Sequence, residues 1–352
     1  MSYIYTLLGW ILDILYRILG NYGFTIILFT ILIKALLLPI DIKQKKSMAK
    51  TQKIQPLLME IQKKYANDKE KLNQETMKVY QKYGINPMGG CLPMLIQFPI
   101  IIALYWVVKK PVVYIMGVDE SEIWRIAEAF NTWAAANVNL LPESLKNIIP
   151  LTYSSKMANN TFGTYEITIA QQIFNHPEIL EHPFIQNWDK TIRLRDFHFF
   201  GLDLSEIPDF GQFLGVFMGR ISGLTLDKVL LWLIPLFSGL SSFAASRIAM
   251  AQQNGGAKKE KNVVVAEADK VGNENSAAST MKTMNFMMPL FSAWFAFTLP
   301  AAVGLYWIIS NIIQIVQQIV VTKYLAPDIS SELLEGDINN VKKGRKNRKK
   351  SK

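Results

Sequence analysis

The chain has 352 residues, half of them hydrophobic, and a formal net charge of +10 from 38 Lys and Arg against 28 Asp and Glu. A mean hydropathy of +0.16, with the apolar residues bunched into runs, is too high for an ordinary soluble domain of this charge. The single cysteine, Cys91, excludes an internal disulfide framework and a cysteine-based zinc cluster. So basic a chain could bind nucleic acid, but its lysines flank the apolar runs, where membrane topology and anionic lipid account for them more simply.

Residues 1–21 place Trp10, Asp13 and Arg17 among aliphatics. The pattern predicts an amphipathic helix lying at the membrane interface. The alternative is a frayed extension of the first span. No positive residue precedes this stretch, and it carries no small-residue cleavage site or lipidation cysteine, so it does not read as a signal peptide.

Residues 22–40, YGFTIILFTILIKALLLPI, are long and apolar enough to cross a bilayer. Lys34 sits inside them. A charge at that depth costs about 2.5–3.5 kcal/mol on insertion scales, so it is expected to face protein, water or a partner. Snorkelling toward the inner end of the span is the structural alternative. Thr30 is four residues earlier and shares its helical face.

Residues 41–89 read as a basic helical hairpin. The first helix is expected over Ile42–Tyr65, a turn at Ala66-Asn67-Asp68, and the second helix over Lys69–Tyr83. Ile54, Leu57, Leu58, Ile61 and Tyr65 recur at helical spacing, as do Leu72, Thr76, Val79 and Tyr83. The hairpin either packs its two stripes together over the lipid or acts as a mobile arm that meets a ribosome, a targeting factor or a nascent chain. A second span is predicted at 90–108, where Gln97 is the one amide in LPMLIQFPIIIALYW.

The 109–228 segment is the least legible. It holds Trp124, Trp133, Trp188 and all three histidines, His176, His182 and His198, whose spacing fits no metal pattern. Gly211, Gly215, Gly219 and Gly223 repeat every four residues, either as a close-packing ridge or as an irregular approach to the next span. Further spans are predicted at 229–250, 282–299 and 301–322. Between the first two of these, 251–281 is rich in Gly, Asn, Ala and Lys and reads as a flexible loop. The basic tail, 323–352, ends in KKGRKNRKKSK, a run that reads as a disordered basic extension, an anchor on lipid or a contact for ribosomal RNA.

In the last span Trp307, Ser310, Asn311, Gln314, Gln317 and Gln318 recur at three- to four-residue steps, a polar stripe on an apolar helix. Lipid cannot satisfy such groups, so they must face one another or water. Lysine and arginine counts put the 41–89 segment, the 251–281 loop and the tail on one side of the membrane, with the N-terminus and 109–228 on the other. By the positive-inside rule this is an N-out, C-in topology. No HExxH, GxSxG or GxxxxGK[ST] is present, so an enzyme would lack a nucleophile, metal set or nucleotide loop. A coupled transporter is expected to show several intramembrane ionisable groups and repeat symmetry.

NYGFTIILFTILIKALLLPI, the lysine-rich hairpin and YGINPMGGCLPMLIQFPIIIALYW together resemble the YidC/Oxa membrane protein insertases. FFGLDLSEIPD (Phe199–Asp209) resembles the family's short outer motif. LLWLIPLFSGLSSFAASRI and MKTMNFMMPLFSAWFAFTLPAAVGLYWIISNIIQIVQQ complete the pattern. The resemblance implies an all-α, polytopic membrane protein of the bacterial plasma membrane, with a five-helix core around a hydrophilic groove open to the cytoplasm and to lipid. The cytoplasmic hairpin and the N-terminal interfacial helix complete that fold. It places the groove charge at Lys34, where the family usually has arginine. Thr30 and Trp307 then face the substrate, Gln97 lines the groove, and Ser310, Asn311 and Gln314 extend its wall.

The resemblance further implies a non-catalytic insertase and chaperone, without cofactor or metal, acting as a monomer alone or with the Sec translocon. Its partners are nascent membrane proteins, ribosomes held by the basic tail and hairpin, and anionic lipid. The chain is closer in plan to Gram-positive-type members, although residues 110–195 are much longer than the family's usual link.

Overall fold

The computed structural model describes residues 2–66, 68–85, 92–153, 161–186, 195–220, 225–254, 287, 289–324 and 331–350. The chain falls into two compact units. The first comprises Met1–Ile33, Pro99–Phe243 and Asn285–Asn311, and the second Lys34–Phe98, Ala244–Met284 and Ile312–Lys352. Three described helices are long and apolar enough to cross a membrane, over Tyr22–Thr51, Leu226–Ile248 and Ala301–Tyr324. Pro99–Lys109 is a shorter apolar helix. The fold class is therefore that of an all-α polytopic membrane protein.

In the first unit, helix α1 (Ser2–Leu19) stops at Gly20, whose φ of +64° suits a residue without a Cβ. Helix α2 (Tyr22–Lys53) starts immediately afterwards, so the N-terminal helix is separate from the first span. One face of α1 is packed through Leu8, Leu12 and Leu15, whereas Tyr3, Leu7, Trp10 and Ile18 are exposed. The packed face meets the short helix α3 (Pro111–Tyr114) and the segment around Arg195, whose guanidinium pairs with Asp13 and lies 4.9 Å from the Tyr16 ring centroid.

The 109–228 segment of this unit is mostly short helices. Helices α4 (Ile123–Ala136) and α5 (Glu166–Asn175) bury Ile126, Phe130, Ala134, Ile167, Ile169 and Ile173, with Phe162 beside them. The carboxylate of Glu166 accepts hydrogen bonds from the backbone amides of Val112 at 2.9 Å and Val113 at 3.3 Å. These are amides of the first turn of α3, so a buried side chain ties α5 to the end of the preceding apolar helix. Trp188 lies outside the described residues.

The Phe199–Asp209 motif forms a tight two-stranded antiparallel hairpin, β1 (His198–Phe199) and β2 (Leu202–Asp203). It clasps the N-terminal end of α2. Tyr22 packs edge-on against Phe197 at 4.7 Å and Phe24 against Phe199 at 5.3 Å. Gly23 is required there, because a Cβ would fall 2.1 Å from the Phe199 ring and 2.7 Å from its Cβ. The motif also caps the last span, α6 (Ala301–Tyr324). Its first two amides, Ala301 and Ala302, donate to the carbonyls of Glu206 and Leu204 at 2.9 and 3.1 Å.

The glycine repeat resolves as a short helix, α7 (Phe210–Phe217), capped by Asp209, whose carboxylate accepts from Gly211 and Gln212. It ends at Gly219 at a φ of +69°. A Cβ at Gly211 would meet only Asp209, so no ridge packs there. Gly223 lies outside the described residues.

In the second unit, α2 continues through Pro39 as far as Lys53, 32 residues in all, instead of ending near residue 40. The separate helix expected from Ile42 is thus the continuation of the span. Pro39 removes one intrahelical bond without stopping the helix. The break comes at Ile54, before α8 (Gln55–Lys64), where Pro56 occupies the first turn and is compatible with a helix start. Helix α9 (Lys69–Lys82) follows, with the Asp68 carboxylate accepting from the Lys71 amide; Asn67 of the expected turn lies outside the described residues.

The tail corrects the expectation of disorder. Ser331–Lys350 forms a helix, α10, that packs on α8. Ile54, Leu58 and Ile85 form a small core against Val79, Tyr80, Tyr83 and Leu334. Asp337 accepts from Lys82 Nζ at 2.7 Å and Tyr83 Oη at 2.8 Å. Leu334 and Asp337 recur at helical spacing on the N-terminal part of α10, while the basic run follows them. Most of the 251–281 loop, residues 282–286 of the fourth expected span and the 86–91 approach to the second lie outside the described residues.

Candidate functional site

Lys34 is 2% exposed, on a helix whose flanking residues Ile31, Leu32 and Leu36 are exposed apolar side chains. Two further charges follow it on the same helix. Asp41 is 9% exposed and lies within electrostatic reach of Lys34, and Lys45 is within reach of both. Spacings of seven and eleven residues put all three within about 40° of arc on an ideal helix. Lys45 Nζ donates to the Gln318 side-chain oxygen at 3.1 Å and to the Gln314 carbonyl at 3.4 Å. Gln318 in turn donates to Thr322 Oγ1 at 3.3 Å. The C-terminal part of α2 is thereby stitched to the C-terminal half of α6 through polar groups. Two buried oxygens of this unit, Asp41 Oδ2 and Gln317 Oε1, have no hydrogen-bond partner among the described residues.

A second polar group belongs to the first unit. Asn311 Nδ2 donates to Ser241 Oγ at 3.0 Å and Ser242 Oγ at 2.8 Å, on helix α11 (Leu226–Asn254), and Ser241 Oγ donates to the Ser238 carbonyl. Ser310 is buried. The Trp307 ring lies 5.5 Å from that of Phe295. Thr30 Oγ1 is buried and donates to the Ile26 carbonyl of its own helix at 2.6 Å.

The sequence profile of the 60Kd inner membrane protein family, the YidC/Oxa family, matches residues 14–328. The chain belongs to this family. A relative from Caldanaerobacter subterraneus, named membrane protein insertase YidC, is 28% identical over 318 residues, covering 90% of this chain and 93% of its own length. A relative of the same name from Fusobacterium nucleatum is 46% identical over 133 residues, 36% of this chain and 63% of the relative. Another from Syntrophus aciditrophicus is 53% identical over 94 residues, 27% of this chain and 17% of the relative. The last two matches thus span less than two thirds of those relatives.

Within this YidC/Oxa-family chain, the residues singled out from sequence divide between the two units. Thr30, Trp307, Ser310 and Asn311 belong to the first, and Lys34, Gln97 and Gln314 to the second. Gln97 lies on the helix Leu92–Lys109, its side chain outside the described residues. Asn311 bridges two helices. Gln314 meets Lys45 through its backbone carbonyl, and Thr30 spends its hydroxyl on its own helix. Asp41, Lys45 and the serines of α11 escaped sequence reading. The signal for the charges is the 34, 41, 45 spacing, which a span ending at residue 40 conceals. Ser241 and Ser242 sit in an apolar run, and nothing in their spacing links them to Asn311.

Proposed function

We propose that this chain is a membrane protein insertase and chaperone of the bacterial plasma membrane. Lys34, Thr30, Gln97, Trp307, Ser310, Asn311 and Gln314 line a hydrophilic groove open to the cytoplasm. The observation that carries this reading is Lys34 itself: a cation almost wholly withdrawn from the surface of an otherwise apolar span, continued inward by polar and charged groups. Burying so much polarity costs stability, and a polar site for a passing substrate segment is a reason for a membrane protein to bear that cost. The relatives' printed names agree with this reading.

In the mechanism that follows, the positive charge attracts acidic groups of a substrate's short outer segment, while the substrate's apolar helix slides along the lipid-facing side. A polar groove partway into the bilayer shortens the apolar barrier that the hydrophilic segment must cross. No nucleophile, metal or nucleotide takes part. The topology is N-out and C-in, with five spans, and α1 lies in the outer interface with Tyr3, Leu7 and Trp10 toward lipid. Ribosomes and anionic lipid meet the basic hairpin and tail, the Sec translocon cooperates on some substrates, and a monomer suffices.

Site-directed crosslinking from Thr30 and Trp307 to a ribosome-stalled single-span substrate tests the groove. Crosslinks from both positions are expected. None from either, in correctly folded protein, would move the reading to a solute channel. Lys34→Arg supports growth as the sole insertase and Lys34→Ala impairs insertion of acidic-tailed substrates; equal insertion by all three versions sinks the groove-charge mechanism.

A further inference from the structure

The groove reading uses one charge, Lys34, but the helix carries three on one face. Asp41 stands between Lys34 and Lys45 in sequence, roughly 10 Å of helix rise from the first and 6 Å from the second. Its side chain is nine-tenths buried, and Oδ2 has no hydrogen-bond donor among the described residues. Among the described residues this carboxylate caps no helix and joins no ion pair within 4.0 Å, and its Oδ2 has no donor. A buried carboxylate without a donor is costly, and it persists where neighbouring cations compensate it. Lys34 and Lys45 are those cations. Lys45 is held in place from its other side by Gln314 and Gln318, so it cannot swing away without breaking those bonds.

We propose that Asp41 is the resident counter-ion of the groove and sets which charges a substrate's translocated segment may carry. The proposal rests on the groove reading above. At rest the two lysines share one carboxylate, and one positive charge is left over. When a substrate carboxylate reaches Lys34, it takes the place of Asp41, which stays neutralised by Lys45. The exchange keeps each buried carboxylate beside a lysine at every stage. It also tempers the field, so that a segment with a basic residue is repelled less than by a groove of two bare lysines. This groove therefore accepts neutral, acidic and mildly basic outer segments, with acidic ones favoured modestly.

The test uses the full chain in liposomes with single-span substrates made in a cell-free system. Their outer segments carry two aspartates, two asparagines or two lysines at the same positions. Protease protection of that segment gives the insertion ratio of acidic to basic substrate. Asp41→Asn is expected to raise this ratio by about threefold or more, the scale of one unit charge removed roughly 10 Å away at a partly screened site. Asp41→Glu keeps the wild-type ratio, and Lys45→Gln lowers it by about threefold or more. A smaller change in Asp41→Asn overturns the proposal. Should that variant fail to accumulate, Lys45→Gln decides on the same threshold.

Lys34→Ala separates the two readings. If it lowers the ratio while Asp41→Asn leaves it unmoved, the groove charge stands and the counter-ion role falls. If neither variant moves the ratio, the groove charge falls and the counter-ion falls with it. A shift in Asp41→Asn with none in Lys34→Ala also overturns the proposal, because Asp41 then answers to some charge other than Lys34.

Discussion

Asp13 and Arg195, 182 residues apart in sequence, form a buried ion pair that fastens the N-terminal helix to the outer segment. Arg17 shares the Asp13 carboxylate, and the Arg195 guanidinium lies over the Tyr16 ring. Removing one partner of a buried pair strands the other charge and costs about 3–5 kcal/mol. Asp13→Ala is therefore expected to loosen α1, seen as faster proteolysis within residues 1–21. The double variant Asp13→Leu/Arg195→Met should be less damaged than Asp13→Leu alone, because no buried guanidinium is left behind, whereas Arg195→Met alone leaves Asp13 paired with Arg17. Additive damage would contradict the pair.

Gly23 lets the N-terminal end of α2 lie directly against Phe199. Gly23→Ala places a methyl group inside the Phe199 ring volume, and the β-carbon of Phe199 blocks simple rotation out of the way. Overpacking of this kind costs about 1–3 kcal/mol. The thermal midpoint should fall, and the companion change Phe199→Leu should recover part of the loss. A fully wild-type midpoint in Gly23→Ala would mean that the hairpin does not clasp α2.

Glu166 makes the outer segment sensitive to pH. Burial pushes its carboxyl up to about 8, against the opposing pull of Lys110 and the amides of Val113 and Val112. Lys110 pairs with Glu120 at 2.8 Å, so it is shared between the two acids. The folded form keeps the proton where the unfolded chain has lost it, so stability declines as pH rises from the ordinary carboxylate range toward about 8, by about 1.4 kcal/mol per pH unit at most, and is flat above. Glu166→Gln, which retains the acceptor oxygen, should flatten that slope and stabilise the protein most at alkaline pH. Thermal unfolding followed by tryptophan fluorescence across the range checks this, and an unchanged slope rules it out.

Asp337 latches the tail helix to the helices before it. Burial opposes it, but Lys82 and Tyr83 hold its carboxyl below the usual range, and burial together with the Asp337 carboxylate pushes the Tyr83 hydroxyl up to about 12. Lys82 is half exposed, so the pair contributes only about 0.5–1 kcal/mol. Asp337→Ala should increase hydrogen exchange of residues 334–343 several-fold and leave α11 protected as before. Acidification should do the same to the native protein, because a depressed carboxyl loses its contribution as pH falls through its folded value. Leu334→Ala removes the apolar half of the contact and should act in the same direction.

Much of this architecture is written in composition and spacing. Apolar run length locates the long helices, because a bilayer demands about twenty apolar residues whatever the neighbours are. Lys34 and the stripe from Ser310 to Gln318 stand out because polar groups are costly where lipid is the solvent. The motif residues carry the family resemblance that the profile match bears out. Pattern reading failed where the signal is not periodic. The outer segment has no long amphipathic run, so its small core and the Glu166 anchor are invisible until the chain is folded. The fold of the tail is hidden because its C-terminal charge obscures Leu334 and Asp337, whose partners, Ile54 and Lys82, lie 280 and 255 residues earlier.

The sequence by itself determined a basic, polytopic helical membrane protein of the YidC/Oxa family with one conspicuous intramembrane cation, since hydropathy and charge are local properties that folding cannot alter. Tertiary structure alone decided how those groups are paired: Asn311 to the serines of α11, Lys45 to Gln314 and Gln318, Asp13 to Arg195, and Asp41 to no hydrogen-bond donor for its Oδ2 among the described residues. Pairing depends on which helix faces come together, and a buried charge is costly or stable according to the groups that meet it there.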